Sequence, residues 1–149
     1  MSYSILIVDD SMPMRSVLKR TLAAAGYVSS KIFEAANGKE ALTILSGEWI
    51  DVILTDYNMP EMNGLDFLKQ VKAEALFKEL PVVVISTEGN DLKIKEFMDA
   101  GASGYITKPF SPESLRDLIV SILGEADYEE IIDGTQDNTD NGGDDQFDF

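Results

Sequence analysis

Five short runs of branched apolar residues recur along the chain, each followed by a segment of helical periodicity. They are "YSILIV" at 3–8, "KIFEA" at 31–35, "DVILT" at 51–55, "PVVVIS" at 81–86 and "GYITK" at 104–108. In the intervening segments apolar residues recur at i, i+3, i+4 and i+7, the spacing of one helix face. Met14, Val17, Leu18, Leu22 and Ala25 form the first such face, which closes on Gly26. Ala41, Leu42 and Leu45 form the second, ending near Gly47, and Leu65, Leu68 and Val71 the third. The fourth uses Ile94, Phe97 and Met98, with Gly101 as its stop. The fifth has Ser111 as a cap, Pro112 at its first position and a stripe of Leu115, Leu118, Ile119 and Ile122. Runs one, three and four are apolar almost throughout, which requires burial on both faces and so a parallel sheet between helical layers. Strict βα alternation, repeated five times, predicts a doubly wound α/β domain.

Composition narrows the chemistry. The 149 residues contain no cysteine and no histidine. That removes disulfides, thiolate chemistry, Ser-His-Asp and Cys-His catalysis, His-ligated zinc and a self-contained phosphohistidine relay. The formal net charge of −15 argues against nucleic acid as a partner. No stretch reaches the ~20 apolar residues of a membrane span. The opening "MSYSILIVDD" lacks the basic region and cleavage site of a signal peptide. A cytoplasmic protein with no membrane partner is the expectation. The charge is uneven: residues 125–149 hold ten acids and no base, leaving residues 1–124 at −5.

Open parallel sheets bind ligands outside the carboxyl ends of their strands, so the residues just past each run are the ones to examine. Asp9 and Asp10 follow the first run and Asp56 the third. Ser86 and Thr87 close the fourth, with Glu88 following beyond the strand end, and Lys108 closes the fifth. Three carboxylates, two hydroxyls and one ammonium thus converge on one sheet edge. Each has an ordinary reading when taken alone. Asp9, Asp10 and Ser11 suit a helix cap, Asp56 an Asx-turn, Lys108 the surface, Ser86 a strand end and Tyr105 the core. Their joint placement at four of five strand ends is what capping and packing do not predict.

Clustered carboxylates raise one another's pKa unless positive charge intervenes. Lys108 supplies one charge, and a hard cation such as Mg²⁺ supplies two more. Asp10, Asp56 and the backbone carbonyl of Asn58 offer a donor set for it. A carboxylate beside Mg²⁺ and lysine can act as a nucleophile towards a phosphoryl group and form an acyl phosphate. The expected acceptor is Asp56, with the Ser86 hydroxyl donating to a phosphoryl oxygen.

The segments "LIVDDS", "LTDYNMPEMNG", "VVVISTEG" and "GYITKPF" resemble, in order and spacing, the signatures of the receiver domain of two-component response regulators. The resemblance covers roughly residues 3–124 and implies the flavodoxin-like, CheY-like (βα)5 fold with sheet order 2-1-3-4-5. It implies that Asp56 accepts phosphate from a sensor histidine kinase, with Asp9, Asp10 and the Asn58 carbonyl organising Mg²⁺. By the same resemblance Lys108 pairs with the phosphoryl group, Ser86 engages it and Tyr105 swings inward. The face formed by helix four, strand five and helix five then carries the signal. Ser86 stands where threonine is commoner and Thr87 where alanine is usual, yet "STEG" is similar to the "TTEG" of many CheY-type chemotaxis regulators. Asn58 and Glu88 occupy the positions with which the family tunes attack by water, and imply a labile phosphoryl group.

Residues 1–124 are therefore expected to form the receiver domain. Residues 125–149 are expected to be an acidic, disordered tail, with 125–132 as a possible extension of the last helix. Phe147 and Phe149 suggest a second role for the tail, docking on this domain's output face or another's. No output module is expected within these 149 residues, and signalling is expected to proceed by protein contact. A flagellar switch or a phosphatase suits a chemotaxis regulator; a phosphorelay intermediate and a regulator of a non-motility enzyme are the alternatives. Two rivals fail on single positions. A haloacid-dehalogenase-type, Mg²⁺-dependent phosphatase needs a second Asp as general acid where this chain has Asn58. A flavodoxin-like electron carrier needs backbone and hydroxyl donors where "DDSMPM" offers two negative charges.

Overall fold

The computed structural model describes residues 3–27 and 30–124. Five strands and five helices alternate: β1 Ser4–Val8, α1 Met12–Ala24, β2 Lys31–Ala35, α2 Gly38–Gly47, β3 Val52–Asp56, α3 Gly64–Ala73, β4 Val82–Ser86, α4 Asp91–Asp99, β5 Gly104–Thr107 and α5 Pro112–Leu123. All neighbouring strands pair in parallel, in the order β2-β1-β3-β4-β5. The reversal between β1 and β3 is the switch point at which such sheets open a crevice.

Alternation along the strands divides the core into two layers. Leu6, Val8, Ile53, Val82 and Val84 face one side and pack with Leu45, Leu68, Val71 and Phe97 from α2, α3 and α4. Ile5, Ile7, Val52, Leu54, Val83 and Ile85 face the other and meet Leu18 and Leu22 of α1 and Leu115 and Ile119 of α5. Every residue of β3 and β4 is buried, the condition that their unbroken apolar runs require.

The helix boundaries follow from local chemistry. Ser11 Oγ accepts from the Met14 N–H, and Asn37, Asn63 and Asn90 accept from Glu40, Asp66 and Lys93. Ser111 and Ser114 bond reciprocally in a capping box, with Pro112 at the first helical position as expected. Gly26 and Gly101 follow α1 and α4 with φ of 105° and 110°, values that suit glycine. The three asparagine caps escaped the sequence reading, as did a short 3₁₀ turn, Ala75–Phe77, between α3 and β4. Met98, expected on the apolar face of α4, is 42% exposed, while Phe97 alone of that helix is fully buried. Residues 125–149, for which a tail and a helical extension are expected, lie outside the described residues. Among the described residues no helix is long and apolar enough to cross a membrane.

Candidate phosphoryl and metal site

The strand ends bring five of the eight expected residues to the carboxyl edge of β1, β3, β4 and β5. The β1–β2 ladder continues one residue past the strand, since the Asp9 N–H donates to the Ala35 carbonyl at 3.0 Å. In the same way the Lys108 N–H donates to the Ser86 carbonyl at 2.8 Å, which ties the lysine to the end of β4. The Lys108–Pro109 peptide is cis. Asp56 and Ser86 are the last residues of their strands and are both buried.

Asp56 is steered by the turn that follows it. The Met62 N–H donates to the Pro60 carbonyl at 2.7 Å, closing a three-residue turn around Glu61, whose φ is +69°. The Gly64 N–H then reaches back to the Tyr57 carbonyl at 2.7 Å. A Cβ on Gly64 would lie 2.5 Å from the Asp56 carbonyl oxygen, so only glycine lets the turn close against the strand end. "NMPEMNG" therefore holds the backbone of Asp56 in place.

Lys108 Nζ lies 3.1 Å from Asp56 Oδ1 and 3.8 Å from Asp9 Oδ2. Carboxylate oxygens of Asp9, Asp10 and Asp56 all fall within 4.8 Å of one another, a spacing that one cation can bridge. Asp9 is 2% exposed and Asp10 is exposed. Burial pushes the Asp9 carboxyl above its ordinary range, and the charges of Asp56 and Asp10 add to the rise. The Ser11 N–H, donating to Asp9 Oδ1 at 2.9 Å, and the Lys108 ammonium oppose it without cancelling it. The Lys108 ammonium thus pairs with two of the three carboxylates, Asp56 and Asp9.

Ser86 Oγ accepts from the Glu88 N–H at 3.0 Å, so the hydroxyl organises the β4–α4 loop as well as facing the edge. Tyr105, expected on grounds of packing to be core, is only half-buried. Its ring packs on Phe97 with centroids 5.5 Å apart, and its hydroxyl donates to the Glu88 carbonyl. Asn58 and Glu88 have exposed side chains on the loops that flank the cluster. Tyr105 therefore stands beside the carboxylates rather than among them, joined to Ser86 through the Glu88 backbone.

Two residues at the site escaped the sequence reading. Arg15 Nη1 donates to the Asp9 carbonyl at 2.6 Å while its Nε pairs with Glu34 Oε1 at 2.9 Å. Lys19 reaches the same carboxylate at 2.7 Å. The signal was present in the i, i+4 pair Arg15 and Lys19 on α1. The second is Tyr57, whose ring meets Phe97 edge-on at 5.4 Å and lies under the Lys93 ammonium at 4.8 Å. Tyr57, Phe97 and Tyr105 form an aromatic line from the residue after Asp56 to β5.

Comparison with known proteins agrees with the architecture. Residues 5–120 match the response regulator receiver domain family. Chemotaxis protein CheY1 of Helicobacter pylori is 42% identical over 124 residues, 83% of this chain and 98% of that one. The structure of chemotaxis response regulator CheY4 of Vibrio cholerae superposes with a TM-score of 0.74 at 36% identity, covering 83% of this chain and all of that one. A receiver domain of sensor histidine kinase PA1611 from Pseudomonas aeruginosa, described with magnesium coordinated in its active site cleft, shares the fold at 20% identity. Its TM-score is 0.73, over 84% of this chain and all of that one.

Proposed function

This chain belongs to the response regulator receiver domain family, closely related to the CheY chemotaxis regulators, and on that premise we propose that Asp56 is its phosphoryl acceptor. The observation that carries this reading is the Lys108 ammonium 3.1 Å from Asp56 Oδ1, inside a group of three carboxylates whose oxygens lie within 4.8 Å.

The donors suit magnesium. They are hard oxygens, and the repulsion among them, felt most at buried Asp9, is relieved by a divalent charge. Asp9, Asp10, Asp56 and the Asn58 carbonyl are the residues to hold it. Mg²⁺, when bound, supplies positive charge against the oxygens of the transferring group.

The chain's own residues account for the rest. An Asp56 carboxylate oxygen attacks the phosphorus of a phosphohistidine on a sensor kinase. The P–N bond breaks, its electron pair stays on the imidazole nitrogen, and an acyl phosphate forms on Asp56. Lys108 exchanges the carboxylate for a phosphoryl oxygen, and the Ser86 hydroxyl donates to another. Movement of Ser86 pulls on the Glu88 backbone to which both it and Tyr105 are bonded. Tyr105 then changes its position between Phe97 and the surface, and the α4–β5–α5 face changes with it. The protein acts in the cytoplasm and passes the signal to a target such as a flagellar switch. Asn58 and Glu88 set the rate at which water removes the phosphoryl group.

The test is incubation with a small phosphodonor, with and without Mg²⁺, followed by intact-protein mass measurement. Wild type gains one phosphoryl group only with Mg²⁺, and Asp56→Asn gains none. Equal modification of the two proteins contradicts the assignment.

A further inference from the structure

The opposite edge of the sheet carries a second built feature. Asp51 precedes β3 and Pro81 precedes β4, so the two lie a full strand length from Asp56 and Ser86. Between the end of α2 and the Ala75–Phe77 turn is a cleft of about 450 Å³, floored by Leu45, Ile50, Phe77, Leu80 and Pro81. Trp49 and Leu76 flank it at 80% and 84% exposure. A tryptophan and a leucine left this open beside an apolar cleft lose burial that the fold does not recover, as interaction sites do.

Both walls are held in position. On one side, Trp49 Nε1 donates to Asp51 Oδ1 at 3.0 Å, while Asp51 Oδ2 accepts from the Ser4 N–H at 2.8 Å. The most exposed aromatic wall is thus tied to the start of β1. On the other, the Lys72 ammonium reaches the carbonyls of Lys78 and Leu80 at 3.0 and 2.5 Å and fastens the loop that carries Leu80. A cleft fixed on both sides loses little entropy when it is filled.

The charge at the rim selects the occupant. Glu48, Asp51 and Glu79 line the cleft, and among the described residues no basic one lines it. Lys78 is exposed next to Glu79 but does not line it. The chain's own residues 125–149 carry ten acids and no base, so they meet repulsion here. A second copy, with the same acidic rim and a net charge of −15, meets it too. We propose that this cleft docks a partner protein through a segment that presents aliphatic or aromatic side chains flanked by lysine or arginine. The acidic rim steers such a segment to the cleft, and Trp49 covers its apolar residues. Because the cleft lies at the far edge from Asp56, docking is independent of phosphorylation and serves to hold the regulator near its partner.

Trp49 is the only tryptophan, so its emission reports the cleft directly. The full chain is titrated with a synthetic amphipathic peptide of leucine and lysine, and with its leucine–glutamate counterpart. The expected result is a saturable blue shift with the first peptide and none with the second. Glu48→Lys with Glu79→Lys weakens the response about tenfold or more, whereas Glu113→Lys with Asp117→Lys on α5 changes it by less than about twofold. Asp56→Asn binds as wild type does, which separates this outcome from the fate of the phosphoryl assignment. No shift with the lysine peptide, equal shifts with both peptides, or indifference to the rim reversal overturns the proposal. A red shift on Phe147→Ser with Phe149→Ser in the free protein identifies the chain's own tail as the occupant and also overturns it. A concentration-dependent shift accompanied by dimer mass does the same in favour of a second copy. All the substituted rim residues are exposed, and circular dichroism checks that each variant is folded.

Discussion

Asp9 carries a charge that its surroundings oppose. Its carboxyl sits above the ordinary value of 3.8, chiefly through burial and next through Asp56, so the folded chain holds the proton more tightly than the unfolded chain does. Stability contributed by the protonated form is therefore lost as pH rises from about 3.8 through the raised value, above which the full penalty is present. Asp9→Asn removes it. Without metal this variant is expected to be more stable than wild type at pH 7 by about 1 kcal/mol in urea denaturation, while its Mg²⁺ affinity falls about tenfold or more. Lower metal-free stability, or unchanged Mg²⁺ binding, runs against the assignment. Asp9, Asp56, Ser86 and Lys108 were legible in the sequence because polar groups stand where buried strands end. Arg15 was not, because its partner at the site is the carbonyl of Asp9, and a backbone acceptor leaves no mark on residue identity. Tyr57 escaped for a related reason. Its contacts with Phe97 and Lys93 cross from a loop to α4, and no local period encodes them.

The elements around the site are joined by charge as well as by packing. Glu34 on β2 accepts from Lys19 and Arg15 on α1, and Arg15 passes that constraint to Asp9 at the end of β1. The hydrogen bond from Lys19, followed by that from Arg15, holds the Glu34 carboxyl below its ordinary value of 4.5. A depressed acid contributes stability that is present above the unfolded value and is lost as pH falls through the folded one. Glu34→Gln is therefore expected to be less stable than wild type at pH 7, with the gap closing as pH drops below about 4.5. Thermal melts of both proteins across that range check it; a gap independent of pH would assign the effect to packing. Strand positions were legible to within a residue or so, since fully buried β3 and β4 leave unbroken apolar runs. The Ala75–Phe77 turn was not. "EALFKEL" continues the helical composition of α3, and only the path back to β4 breaks it there. Met98 was misplaced because nine-residue α4 turns just one large side chain, Phe97, fully into the core.

At the scale of the molecule the carboxyl edge of the sheet carries the carboxylate cluster and the amino edge the apolar cleft beside Trp49. The doubly wound architecture was legible because alternation of runs and helical faces admits few other arrangements. The cleft beside Trp49 was not, since it forms between the end of one helix and a distant turn. Asn58 and Glu88 are polar and exposed on the loops beside the edge at which Asp56 ends β3. The phosphoryl group is accordingly expected to be lost within minutes in Mg²⁺-containing buffer, followed by phosphate release. Persistence for many hours would show that these two positions do not admit water. The central claim is that an acyl phosphate forms on one carboxylate of the three. It is tested most directly by phosphorylating the protein with a small phosphodonor and Mg²⁺, trapping with borohydride and sequencing the peptides by mass spectrometry. Reduction of an aspartyl phosphate leaves homoserine: the expected result is homoserine at position 56 alone, and its appearance at position 9 or 10, or nowhere, would contradict the claim.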